Sequence, residues 1–132
     1  ASTSPGQAQS PQRIAAIMTP RRDMCVIDLD DGEETVRQQI MDSEFSRLVI
    51  CRDGLEHILG ILQKGDLLKK ALPGHPIGVA DVEAVLHPPL YVPESVTTTQ
   101  LLENFRRARL QFALIVDEYG EVQGLITLED IL

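Results

Sequence analysis

Apolar residues in this chain fall into short blocks with two alternating rhythms. Leu48-Val49-Ile50-Cys51 and Ala113-Leu114-Ile115-Val116 are continuous runs rich in branched side chains, the pattern of strands buried on both faces. Each run leads into a turn, Asp53-Gly54 or Tyr119-Gly120, and then into a second β-rich run over 58–62 or 122–126. Two such runs around a glycine turn predict a hairpin. Ahead of each hairpin the spacing becomes helical, marked by Val36, Ile40 and Met41 in one stretch and by Leu101, Leu102 and Phe105 in the other. Asp30, Asp31, Glu33 and Glu34 open the first of these, where carboxylates suit the positive end of a helix. Short strands are predicted before each helix, over 24–27 after Pro20 and over 90–92 after Pro88-Pro89. Leu128, Ile131 and Leu132 carry helical spacing at the C-terminus.

The blocks repeat. Residues 59–68 align with 123–132 at an offset of 64, which sets Gly60 against Gly124 and Asp66 against Asp130. Each copy reads strand, helix, strand, strand, helix, so an α/β fold with a duplicated core is expected, and two copies are too few for a solenoid. The expected boundaries are 13–72 for the first unit, 73–86 for a connector and 87–132 for the second unit. A unit of about 55 residues buries little surface alone, so the two are expected to pack with pseudo-twofold symmetry around two related clefts. Residues 1–12 carry no charge and no large apolar side chain, and read as a disordered tail or cloning remnant. The final helix stops after about one turn, too short to be stable by itself, and reads as truncated, with the natural chain continuing.

Charge narrows the function. With 20 acidic and 12 basic side chains the net charge is −8, and the average field repels a nucleic-acid backbone. A hydrophobic fraction of 43% is an ordinary globular balance. Apolar runs reach only about five residues where a membrane helix needs roughly 20, and no signal peptide is apparent. Cys25 and Cys51 lack CxxC spacing and are expected as reduced, core-packed thiols. His57, His75 and His87 adjoin turns or prolines and read as surface loop histidines. No zinc spacing, phosphate-cradling glycine loop or dinucleotide fingerprint occurs. The acidic run from Asp28 places Gly32 and Gln39 wrongly for a calcium loop and reads as a helix start.

The segment from Gly124 to Asp130 stands out. A buried strand is expected to end at Ile126, leaving Thr127 where a helix begins and Asp130 one turn later on the same face. A hydroxyl and a carboxylate so placed suit phosphate and vicinal ribose hydroxyls. They equally suit an ordinary helix cap.

Taken with Ile17-Met18-Thr19-Pro20-Arg21, Ser46-Arg47 and Val116-Asp117-Glu118-Tyr119-Gly120, this segment resembles the paired cystathionine-β-synthase-type (CBS) domains of the CorC/HlyC and CNNM magnesium- and cobalt-transport-associated family. The resemblance runs from about Ile14 to Leu132. It implies tandem β-α-β-β-α units that dimerise into a flat disc and regulate by binding ATP or AMP, with Mg²⁺ carried on the phosphates; it implies no catalysis. Carried over by position, Thr127 contacts phosphate or ribose, Asp130 holds the ribose hydroxyls, and Thr19 and Ile126 line the same site. By the same resemblance Phe45 covers the adenine and Arg47 reaches the phosphates; the residues alone equally allow Phe45 in the core and Arg47 as a surface charge. At the equivalent place the first copy has Gln63, with Asp66 retained, and is expected to be degenerate. The implied setting is cytoplasmic, or the cytoplasmic side of an inner-membrane protein, with membrane and transporter-associated domains flanking the module. The alternative is a ligand-free structural dimerisation module.

Overall fold

The computed structural model describes residues 13–70 and 73–132, so the expected tail over 1–12 lies outside the described residues. Among the described residues, seven strands and five helices follow one another: β1 (Thr19–Pro20), β2 (Val26–Asp28), α1 (Glu33–Asp42), β3 (Arg47–Cys51), β4 (Ile58–Gln63), α2 (Lys64–Lys70), α3 (Val79–Ala84), β5 (Leu90–Pro93), α4 (Thr98–Ala108), β6 (Phe112–Val116), β7 (Val122–Thr127) and α5 (Leu128–Ile131). The chain divides into two compact units, a central one of Arg21–Pro89 and a composite one joining the chain up to Pro20 with Leu90–Leu132.

The central unit holds a three-stranded sheet of order β2-β3-β4, and the composite unit a four-stranded sheet of order β1-β7-β6-β5. The duplication extends to register. β2 runs parallel to β3, as β5 does to β6, and each pair continues into an antiparallel hairpin. A bulge falls between Ile50 and Cys51 in one hairpin and between Ile115 and Val116 in the other. Ile27, Val36, Ile40, Leu48, Ile50 and Leu62 pack together in the central core; Ile14, Val92, Leu101, Phe105, Ile115 and Ile126 do so in the composite core. The strand residues between them, Val49, Ile61 and Leu114, are equally buried, which is why the runs are continuous rather than alternating.

Three placements differ from the sequence expectation. The segment through Pro20, expected in the first unit, belongs to the composite one, because Thr19 and Pro20 pair with Leu125 and Gly124 of β7 and Ile14 is fully buried in that core. The stretch 73–86, expected as a connector, contains α3, which buries Val82 in the central core and whose first turn is held by Glu33 accepting from the Val79 N–H. Met41, expected on the apolar face of α1, is 52% exposed. Val36 and Ile40 lie one turn apart, and the next residue is rotated about 100° away from them.

In both units a segment crosses the far edge of the hairpin, and a glycine makes room for it. A Cβ on Gly124 would lie 2.6 Å from the Thr19 carbonyl oxygen and from the Met18 sulfur. One on Gly60 would lie 2.9 Å from the Leu86 Cβ and 3.0 Å from the His87 carbonyl oxygen. His87 pairs with Ile61 through both backbone hydrogen bonds, as Thr19 pairs with Leu125. Thr19 and His87 are thus the same position in the two copies, each followed by a proline.

Candidate functional site

Thr127 ends β7 in extended conformation and caps α5. Its hydroxyl accepts from the Asp130 N–H at 3.3 Å, and Asp130 Oδ2 accepts from the Thr127 N–H at 2.8 Å, a reciprocal capping box. Thr127 is 4% exposed while Asp130 is exposed, so the pair offers one enclosed hydroxyl and one open carboxylate. The box engages Oδ2 and leaves the Thr127 O–H free to donate elsewhere. Thr19 lies opposite Leu125, and directly opposed residues share a sheet face with the i+2 neighbour, here Thr127. Such diagonal neighbours are about 7–8 Å apart in a regular ladder. The tertiary fold therefore brings Thr19, from the start of the chain, to the face carrying Thr127. Ile126 points the other way, fully buried in the composite core, and acts as an anchor for the strand end.

Phe45 and Arg47 belong to the central unit. Phe45 is 49% exposed, which excludes a core role. With Cys25, Val26, Ile27, Gln39 and Ser43 it lines a cleft of about 320 Å³. Its loop is tied down: the Phe45 N–H donates to Ser43 Oγ, and the Lys64 ammonium donates to the Ser43 carbonyl at 2.7 Å. Cys25 was expected in the core; it is half-buried, with Ser43 Oγ 3.5 Å from its sulfur. Cys51 is buried, and that burial pushes its thiol pKa up, keeping it protonated. Arg47 is half-buried and stands opposite Gln63 on β4. In the composite unit the matching pair is Phe112 opposite Thr127, with Phe112 fully buried.

Among the residues of the degenerate copy, Gln63 ends β4 and Asp66 lies in the first turn of α2. His87, which sequence reasoning placed on a surface loop, reaches Asp66: its Nε2 is 2.7 Å from Oδ2. The signal available in the sequence was the match of His87-Pro88 to Thr19-Pro20, visible only once the crossing segments are aligned as a repeat. Among the described residues no group of three or more His, Cys, Asp or Glu side chains is placed to hold a metal ion, and no helix is long and apolar enough to cross a membrane.

The CBS domain family model matches residues 79–132. The chain is 39% identical, over 89% of its length, to UPF0053 protein YegH of Escherichia coli (strain K12), of which it spans 22%. It superposes on a CBS-domain pair with bound AMP from Klebsiella pneumoniae with a TM-score of 0.79 at 28% identity, covering 91% of this chain and 94% of that one. On the CBS domain of a bacterial CNNM/CorC family Mg²⁺ transporter in complex with ATP the TM-score is 0.71 at 31% identity, covering 91% and 84%. By register, repeat and these likenesses, the chain belongs to the CBS-domain family, as a CBS pair of the CorC/CNNM type.

Proposed function

We propose that this chain is a regulatory adenine-nucleotide-binding module of a magnesium- and cobalt-transport-associated protein. The observation that supports it is the strand end where Thr19, Thr127 and Asp130 gather, in a fold whose solved relatives include pairs holding AMP and ATP. In this reading Asp130 accepts from ribose hydroxyls through the oxygen its capping box leaves over. Thr127 and Thr19 donate to ribose or phosphate oxygens. Phe45 contributes a stacking face and Arg47 a guanidinium for phosphate, chemistry that suits each side chain. The module works on the cytoplasmic side of a larger membrane protein, as a homodimer, and Mg²⁺ arrives with the phosphates. Its role is regulatory rather than catalytic.

Calorimetry with AMP and with ATP, in the presence and absence of Mg²⁺, tests the reading. Asp130→Asn keeps an oxygen for the Thr127 N–H but halves the acceptor capacity, and is expected to weaken AMP binding by about 1–3 kcal/mol, roughly fivefold to 150-fold. Unchanged affinity refutes the assignment of Asp130. One observation favours a second reading, the ligand-free dimerisation module: the capping box accounts for the pairing of Thr127 with Asp130 without any ligand. The two separate on a thermal scan, since a ligand that binds only the folded state raises Tm with its concentration. A midpoint unmoved by millimolar AMP or Mg²⁺-ATP selects the structural module.

A further inference from the structure

The two copies differ most at the crossing position. In the composite unit the Asp130 carboxylate accepts from backbone, at the Thr127 N–H. In the central unit the same position is His87, whose backbone is locked to Ile61 by hydrogen bonds of 2.8 and 2.9 Å. From there the imidazole spans to Asp66, the counterpart of Asp130, at 2.7 Å, with both side chains about one-third exposed (39% and 32%). At that distance the imidazole and the carboxylate share a hydrogen bond. Gly60 fixes the geometry, since the crossing backbone approaches so closely that no side chain fits there. The carboxylate that would take ribose hydroxyls in this copy already has an internal donor, and Gln63 stands where the working copy has the Thr127 hydroxyl.

We infer that His87 is an internal plug: by holding Asp66 it occupies the ribose position of the central unit and sets nucleotide stoichiometry at one per chain. This rests on the nucleotide-binding reading above and extends it to the copy that reading leaves aside. A ribose must displace the imidazole before Asp66 can accept from it, and giving up that hydrogen bond costs a competing ligand about fivefold or more in affinity. Replacing the plug with the residues of the working copy should therefore create a second site.

The test is the number of AMP molecules bound per chain, measured by calorimetry on the wild type and on Gln63→Thr/His87→Thr. One per chain in the wild type and two in the double variant are expected. In an Asp130→Asn background the double variant should keep its new site, and adding Asp66→Asn should remove it. Single His87→Ala serves if the double variant does not fold, and is read by the same outcomes. One AMP in both the wild type and a folded variant overturns the plug and leaves the functional reading standing. Two in the wild type also overturns the plug. No binding in either overturns both.

Discussion

At the scale of single residues, Asp28 shows how much one carboxylate can organise. It ends β2, and its oxygens accept from the N–H groups of Asp30 at 2.9 Å, Asp53 at 3.2 Å and Gly54 at 3.0 Å, which ties the strand end to the hairpin turn of the central unit. Those donors, the Asp30 and Gly54 N–H groups foremost, hold its pKa below the usual carboxylate range. Because the folded pKa is the lower one, the stabilisation is complete above the unfolded value of about 3.9 and is lost as pH falls through it towards the folded value. Asp28→Asn is expected to lower the denaturation midpoint at neutral pH, with the gap to wild type closing below about pH 4. A gap that stays constant across acid titration refutes the linkage. Asp117 does the corresponding work in the second hairpin, accepting from Tyr119 and Glu121. Neither role was legible beforehand: a carboxylate near a turn looks the same in sequence whether it faces water or three amides.

At the scale of elements, the hydrophobic rhythm located every strand and helix of the duplicated unit, because continuous runs and helical spacing report burial directly. What it missed is α3, within the stretch read as a connector, and the crossing segments, two residues long at β1 and a single bridge at His87, too short to leave a periodic signal. Their trace is the pair of glycines. Gly124→Ala would force the new methyl group against the Thr19 carbonyl 2.6 Å away, and is expected to destabilise the protein by about 1–3 kcal/mol and to weaken nucleotide binding by displacing Thr19. Urea unfolding alongside AMP titration checks both. Full stability in the alanine variant means that the crossing segment yields freely and does not position Thr19. The same reasoning explains why Thr127 and Asp130 were legible while His87 was not: the former lie three apart on one helix turn, whereas His87 and Asp66 lie 21 apart and meet only through a bridge.

At the scale of the whole molecule, net charge is the governing quantity. On the proposed reading, a chain at −8 opposes an incoming triphosphate electrostatically, and Arg47 would supply only part of the compensation. Mg²⁺ bridges phosphate oxygens and brings two positive charges, so ATP affinity is expected to fall at least about tenfold in chelator while AMP affinity changes little. Equal ATP affinity with and without Mg²⁺ removes this role for the charge. The division into units is also a property of the whole. The repeat in the sequence suggests two contiguous halves, but Thr19 and Pro20 add a strand to the sheet of the composite unit instead. An edge strand needs only free backbone groups to pair with, and those impose no sequence pattern.

The sequence by itself determined the α/β class, the duplication, the five-element order of each copy and the Thr127/Asp130 turn, all of which depend on neighbours within a few residues or on a repeat at fixed offset. Only the tertiary structure decided which sheet edge receives Thr19, that Phe45 opens onto a cleft rather than the core, that Arg47 faces Gln63, and that His87 closes on Asp66. Those depend on which distant backbone segments approach one another, a choice made by close packing at Gly60 and Gly124.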